Sequence, residues 1–277
     1  MVMSDQLAQQ PIGVFDSGIG GLTVVRAMRD VLPREQIHYL GDTARVPYGS
    51  KSAATVQRYS LEIADMLMER GAKAIVVACN TASSVALPKL EEVLTVPVIG
   101  VIRPGAEAAI AATRSGHIGV IGTRATIRSE AYDRHLQDLN PDVVITSSAC
   151  PLLVPLIEEG LLEDAVTDQV LRRYLEPLLH DGVDTLVLGC THYPLLISEI
   201  QRVAGPDVKV VDSARNCAIA VQKLLNQESL NAGASSAGGL HVSLTDAPDH
   251  FLGVAKQALQ LDVGEIEIRD VLHKVTA

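Results

Sequence analysis

The sequence predicts an α/β fold of two similar halves, each with a mainly parallel sheet, and a ligand cleft between them. Short runs rich in Val and Ile, bounded by Gly or Pro, alternate with amphipathic stretches. This alternation is typical of strands buried on both faces of a parallel sheet and joined by helices. One strand-and-loop pattern also occurs twice, and a length of 277 residues suits two modest domains better than one.

Eight apolar runs are predicted to be the strands of the two sheets. They are residues 12–15, 37–40, 74–78, 96–101, 118–121, 143–146, 185–188 and 208–211. Between them, apolar residues such as Leu22, Val25 and Met28 recur at helical spacing, which indicates crossover helices. After a Gly- and Ser-containing linker at 228–239, a strand at 241–244, a helix at 248–261 and a strand at 265–268 are expected to pack on the first domain.

The internal repeat is centred on Cys79 and Cys190, which lie 111 residues apart. Each cysteine follows an apolar strand that ends in a small residue, and each precedes two polar residues. The segments 12–17 and 118–123 resemble each other at an offset of 106 residues. These pairs indicate two copies of one sheet design. We therefore predict a first domain of residues 1–100 plus 212–277 and a second of residues 101–211.

Composition indicates which kind of molecule the protein binds and where in the cell it acts. The chain carries 23 Lys and Arg against 33 Asp and Glu, a formal net charge of −10. This balance argues against a general electrostatic grip on nucleic acid or on an anionic membrane, so a small ligand is expected. No apolar run reaches the roughly 18 residues of a membrane span, and residues 1–10 lack the pattern of a signal peptide. A cytoplasmic location is expected.

The four cysteines form no metal-binding or disulfide pattern. No Cys-x-x-Cys pair is present, and no His lies at ligand spacing, so we expect free thiols and no zinc site. Cys150 and Cys217 lack a following polar pair and are interpreted as structural. Cys79 and Cys190 are different, because ligands bind outside the carboxyl ends of strands in open α/β sheets and both cysteines fall at that place.

Polar residues next to these two cysteines supply the groups that acid–base chemistry needs. Asn80-Thr81 and Thr191-His192 offer hydrogen-bond donors that would favour the thiolate form, and the imidazole of His192 suits a proton relay. The Gly-rich loop 16–21 has backbone N–H groups that can receive an anion, although the carboxylate of Asp16 favours a ligand ammonium group. The alternative is an ordinary tight turn in which Asp16 or Ser17 caps the following helix.

Two further segments cannot be assigned from spacing alone. Residues 41–49 follow a strand and end in a Pro-Tyr-Gly turn, and an ordinary surface loop with solvated Arg45 and Tyr48 would look the same. Glu158 and Glu159 close an apolar stretch, as acidic pairs do at a solvated helix end.

Two opposed thiols without a cofactor motif indicate proton transfer at a carbon centre. One cysteine would remove a proton from one face, and the other would return a proton to the opposite face, which is racemisation. Two alternatives stay open: a racemase acting on aspartate or another small amino acid, and a non-catalytic amino-acid-binding protein. The second has no need of two matched cysteines.

Five motifs in order, at residues 15–21, 41–49, 78–83, 100–104 and 188–194, closely resemble the glutamate racemase family. This family belongs to the cofactor-independent aspartate/glutamate racemase superfamily, and the resemblance covers residues 11–271. It implies interconversion of L- and D-glutamate, which supplies D-glutamate for bacterial peptidoglycan and so supports cell shape. It also implies two α/β domains related by a pseudo-twofold axis, no cofactor and no metal, and a homodimer is common in the family.

The resemblance also implies roles for individual residues. Cys79 and Cys190 match the catalytic base and acid, with Asp16, His192 and Glu158 as assisting groups; Glu159 is an alternative to Glu158. The positions that match substrate-binding residues are Asp16, Ser17, Pro47, Tyr48, Gly49, Asn80, Thr81, Thr123, Thr191 and His192.

Overall fold

A computed structural model describes residues 7–247, 253 and 260–271. The strands of this part form two sheets in which every pair is parallel. They are β1 Ile12–Asp16, β2 Gln36–Gly41, β3 Ala74–Val77, β4 Val98–Gly100, β5 His117–Gly122, β6 Val144–Ala149, β7 Thr185–Gly189, β8 Lys209–Asp212, β9 Gly239–Leu244 and β10 Ile266–Ile268. Each predicted strand is confirmed, with ends that shift by up to three residues.

Helices connect the strands, as the spacing of apolar residues predicts. They are α1 Leu22–Val31, α2 Ala53–Glu69, α3 Asn80–Val93, α4 Ile102–Ala112, α5 Arg124–Arg128, α6 Ala131–Leu139, α7 Leu153–Glu158, α8 Ala165–His180, α9 Ile197–Ala204 and α10 Ser213–Gln227. Short 3-10 turns add Thr43–Arg45, Tyr48–Ser50 and Tyr193–Leu196. Among the helices of the described residues, none has the length and apolar character needed to cross a membrane.

The two sheets share one strand order, which confirms the repeat seen in the sequence. The first contains β2-β1-β3-β4 and the second β6-β5-β7-β8. In each, the order reverses beside the first strand, between β1 and β3 and between β5 and β7. Ligands of open α/β sheets bind at such switch points, outside the carboxyl ends of the strands. Cys79 follows β3 and Cys190 follows β7, so both thiols lie at these points.

The C-terminal strands extend the first sheet only. β9 pairs with β2, and β10 pairs with β9, as the prediction that this segment packs on the first domain requires. The predicted helix at 248–261 lies mostly outside the described residues. The domain limits at 100/101 and 211/212 stay a prediction.

Buried apolar residues form the centre of each half, in β1 and β3 of the first sheet and in β7 of the second. All five residues of β1 and of β7 are buried, because helices cover both faces of each sheet. Helix α10 packs against both α1 and α4. Since α4 lies on the second sheet and α1 on the first, α10 holds the two halves together beside the switch points.

Candidate active site

A cavity of about 170 Å³ lies between the two sheets, at the carboxyl ends of their strands. A cavity needs roughly 10–15 Å³ to hold one water molecule, so this space suits a small ligand of about ten heavy atoms. Both halves supply its walls. The lining residues that the sequence predicted are Ser17, Pro47, Tyr48, Gly49, Cys79, Asn80, Thr81, Thr123, Glu158, Cys190, Thr191 and His192.

Cys79 lies at the N-terminus of α3, where it acts as the helix N-cap. Its Sγ accepts a hydrogen bond from the backbone N–H of Ala82 at 3.5 Å, and its thiol lies 3.7 Å from the Ser17 hydroxyl. Burial nevertheless raises the pKa of the Cys79 thiol well above its usual value, and the nearby Asp16 carboxylate raises the pKa further. The expectation that its surroundings would favour a thiolate is therefore wrong for Cys79, because desolvation outweighs the helix N-terminus.

Asp16 fills the anion-binding loop that its own segment forms. Its Oδ2 accepts hydrogen bonds from the backbone N–H groups of Gly18 and Gly21, each at 3.1 Å. Asp16 is fully buried and does not line the cavity. The structure thus shows the alternative of a tight turn capped by Asp16, in which a carboxylate of the chain and not a ligand anion takes the N–H groups.

Burial raises the pKa of Asp16, although the charge of His192 and the hydrogen bonds from Gly21 and Gly18 partly offset this. An interaction with the Cys79 thiol contributes in the same lowering direction. Asp16 thus lies behind Cys79 as a carboxyl group that binds a proton more readily than an exposed aspartate. It also accepts a hydrogen bond from Thr191 Oγ1 at 3.4 Å, which links the two halves.

Cys190 lies beside an imidazole on the other side of the cavity. Its Sγ is 3.9 Å from Nδ1 of His192, and Nε2 of His192 is 3.3 Å from Oε1 of Glu158. Gly20 makes room for this ring, because a Cβ at position 20 would lie 2.4 Å from Nδ1. The structure therefore forms a chain of hydrogen-bonding groups from the carboxylate through the imidazole to the thiol.

The charge state of His192 follows from this chain. Burial by itself lowers the pKa of His192, but interactions with Cys190 and Glu158 and the charge of Asp16 outweigh burial and raise the pKa to about 10. His192 is therefore an imidazolium at neutral pH and can donate a proton to Cys190.

The structure separates the two glutamates at the end of α7. Glu158 lines the cavity beside His192, whereas Glu159 is exposed and is absent from the cavity wall. The geometry therefore favours Glu158 as the assisting residue, and the interpretation as a solvated helix end fits Glu159.

Hydroxyl and amide groups complete the cavity near the boundary of the two halves. Thr81 Oγ1 lies 2.9 Å from Thr123 Oγ1, which joins α3 to the start of α5. The amide Nδ2 of Asn80 is buried and has no hydrogen-bond partner within the described residues. An unpaired buried N–H group is costly, so Asn80 is suited to bind a ligand carboxylate.

The 41–49 loop is not an ordinary surface loop. Tyr48 is buried, and its hydroxyl donates to the Asp42 carboxylate, which also accepts from Arg45 Nε at 2.7 Å and from Thr245 at 3.0 Å. Arg45 also pairs with Glu62. The interpretation of Arg45 and Tyr48 as solvated is wrong, because the buried Asp42 draws both of them inward.

Several lining residues were not predicted. They are Val46, Ser50, Arg124, Cys150, Pro151, Val154 and Pro155. Cys150 was interpreted as structural, yet it follows the carboxyl end of β6 just as Cys79 and Cys190 follow their strands. This position at a strand end was the sequence feature that could have placed Cys150 in the cavity wall. Burial raises the pKa of the Cys150 thiol to about 12. Cys217 lies in the core within α10, in agreement with a structural role.

Known proteins are similar to this chain in sequence. The sequence model of the Asp/Glu/Hydantoin racemase family matches residues 13–223. The chain belongs to this family. A glutamate racemase from Geobacter metallireducens is 51% identical over 255 residues, which cover 92% of this chain and 94% of the relative. Racemases are isomerases, and this chain is an isomerase of the glutamate racemase type.

Solved structures extend the similarity to the fold. The crystal structure of glutamate racemase from Francisella tularensis in complex with D-glutamate has a TM-score of 0.89 at 36% identity, covering 96% of this chain and 99% of that one. Escherichia coli glutamate racemase, in complex with L-glutamate and the activator UDP-MurNAc-ala, has a TM-score of 0.78 at 31% identity, covering 95% and 99%.

The proximity of Glu158 to His192 predicts a shift in the pH dependence of activity. In Glu158→Gln, the pKa of His192 should fall from about 10, and the alkaline limit of kcat/KM should move down by about one pH unit. Because the folded-state pKa is raised, the stability that His192 contributes is fully present below about pH 6.5 and is lost as the pH rises through about 10.

Racemisation rates across pH and NMR titration of the His192 ring would measure both effects. Glu159→Gln is the matched control and should leave the profile unchanged, since Glu159 is exposed outside the cavity. Equal shifts in the two variants, or no shift in Glu158→Gln, would contradict the assignment.

Proposed function

We propose that this protein interconverts L- and D-glutamate without a cofactor, using Cys79 and Cys190 as two bases on opposite faces of the substrate. The observation that carries the proposal is that each thiol follows a switch-point strand of its own sheet and both line one small cavity. The relatives support glutamate as substrate, since one solved structure contains D-glutamate and another contains L-glutamate.

The two thiols exchange protons with different side chains, so each can change between thiol and thiolate independently of the other. Asp16, whose pKa burial raises, can take the proton of Cys79 when that thiol acts as the base. His192, as an imidazolium supported by Glu158, can return a proton to Cys190. In each direction one thiolate removes the α-proton, and the opposite thiol then protonates the planar carbanion.

The remaining polar groups are proposed to bind the substrate and to stabilise the negative charge that develops next to the α-carbon. The Nδ2 of Asn80 and the hydroxyls of Thr81 and Thr123 are uncharged donors at the boundary of the two halves. Fixed donors of this kind act without reorganisation when charge develops. The other proposed substrate contacts are Ser17, Pro47, Tyr48, Gly49, Thr191 and His192; Asp16 acts through Cys79 and Thr191.

The wider role rests on the family resemblance. We propose that the D-glutamate formed supplies peptidoglycan synthesis, and so cell shape, in the cytoplasm. We also propose that the protein forms a homodimer. Its two domains would comprise residues 1–100 plus 212–277 and residues 101–211. The net charge of −10 agrees with a small-molecule partner and with no nucleic-acid or membrane partner.

The decisive experiment is to incubate the purified protein with L-glutamate and to follow optical rotation or circular dichroism. Racemisation should reach equal amounts of the two enantiomers, and activity should be unchanged after chelation and exhaustive dialysis. Loss of activity that zinc or pyridoxal phosphate restores would contradict a cofactor-free route. Faster racemisation of aspartate would assign another substrate, and glutamate binding without turnover would identify a binding protein.

A further inference from the structure

A tyrosine outside the cavity contacts one of its binding groups. Tyr132, in α6 of the second half, donates its hydroxyl to Oδ1 of Asn80 in the first half at 2.7 Å. Tyr132 is 2% exposed and does not line the cavity. Its effect on a ligand must therefore pass through Asn80.

The hydrogen bond determines which end of the Asn80 amide is available to a ligand. The two ends of an amide have nearly the same shape, but one accepts and the other donates hydrogen bonds. Because Oδ1 is bonded to Tyr132, the donor Nδ2 is the end left for the ligand, and it has no partner in the described part of the chain. A carboxylate only accepts hydrogen bonds, so the reversed amide would place oxygen against oxygen.

The surroundings of Tyr132 fix the hydroxyl in place. The side chain of Ser213, which is also buried at the start of α10, interacts with the Tyr132 hydroxyl as well. A Cβ at Gly105 would lie 3.2 Å from the Tyr132 oxygen, so the absence of a side chain there leaves space for the hydroxyl. The tyrosine is thus buried, with its hydroxyl bonded across the boundary of the two halves.

We infer that Tyr132 is a positioning residue for substrate binding: its hydroxyl orients the Asn80 amide so that Nδ2 faces the substrate carboxylate. This inference rests on the proposed racemisation of glutamate. Tyr132 takes no part in proton transfer. Its loss should therefore weaken binding and leave the acid–base groups unchanged.

Tyr132→Phe removes the hydroxyl and keeps the ring. We expect KM for both glutamate enantiomers to rise about five- to tenfold, with a smaller loss of kcat, because Asn80 is also proposed to stabilise the developing charge, and with an unchanged pH profile. Tyr193→Phe is the matched control, since it removes an equally buried hydroxyl that donates to the backbone carbonyl of Cys150 at 3.0 Å. Its KM should change less than about twofold. Equal KM changes in the two variants would overturn the inference.

A double-mutant cycle tests whether Tyr132 acts through Asn80. Glutamate affinity is measured by calorimetry in the inactive Cys79→Ala/Cys190→Ala protein, alone and with Tyr132→Phe, Asn80→Leu or both. Tyr132→Phe should weaken binding about five- to tenfold alone and less than about twofold when Asn80 is already replaced. The same factor in both backgrounds would show a merely structural role. If Asn80→Leu abolishes binding, the comparison of Tyr132→Phe with Tyr193→Phe decides the question.

Different results would refute the proposed racemisation of glutamate and the positioning role of Tyr132. A wild-type protein that neither racemises nor binds glutamate would refute the proposed function. A wild-type protein that racemises glutamate, with a Tyr132→Phe variant of unchanged KM, would refute only the positioning role.

Discussion

Alanine at either Cys79 or Cys190 is expected to lower the racemisation rate by about 10³-fold or more, because each thiol serves one face of the substrate. Neither thiol can substitute for the other, since their partners differ: Asp16 lies behind Cys79, and His192 lies beside Cys190. Racemisation of L-glutamate and of D-glutamate should both be lost in each variant. Circular dichroism at saturating substrate measures this loss directly.

Cys217→Ala provides the control for this experiment. Cys217 is a free and buried thiol like the other two, but it lies in the core within α10 and away from the cavity wall. Its replacement should leave the rate near that of the wild type. All three variants should keep the far-ultraviolet spectrum and a thermal transition close to that of the wild type. A Cys79 or Cys190 variant that racemised glutamate at a near wild-type rate would refute the two-base mechanism.

Racemisation in deuterium oxide should place solvent deuterium on the α-carbon of essentially every early product molecule. The thiol that protonates the opposite face carries a proton from solvent, whereas the proton removed from the substrate stays on the other sulfur. The two sulfurs lie on different halves and have different hydrogen-bond partners. Mass spectrometry of the D-glutamate formed in the first turnovers from α-protiated L-glutamate measures the incorporation.

The reverse labelling is the control: α-deuterated L-glutamate in ordinary water should give D-glutamate that has lost its deuterium. A single base that removed and redelivered the same proton would instead leave part of the original hydrogen in the product. Substantial retention in either experiment would mean that Cys79 or Cys190 has only a structural role.

The sequence predicts the strands and the cysteine positions because these depend on local patterns. Buried parallel strands show as short apolar runs, and a residue that follows such a strand must lie at the carboxyl edge of the sheet. Two such runs with matching ends were enough to place Cys79 and Cys190 on one cavity. The shared strand order of the two sheets confirms the repeat.

The contacts that the sequence did not predict join residues far apart in the chain. Tyr132 and Asn80 are separated by 52 positions and Thr191 and Asp16 by 175, and no local spacing encodes such pairs. The Gly-rich loop kept two interpretations open for a different reason. Its N–H groups were correctly expected to receive a negative charge, but that charge is the side chain of Asp16. A local pattern cannot say which acceptor takes a donor.

The raised pKa of Cys79 also bears on how this enzyme ages. Oxidants and alkylating reagents attack thiolates that solvent can reach, and they react slowly with buried neutral thiols. Cys79 is 5% exposed, and its burial and the neighbouring Asp16 keep it protonated. The burial that keeps this thiol protonated between turnovers therefore also protects it from oxidation to sulfenic acid and from electrophiles.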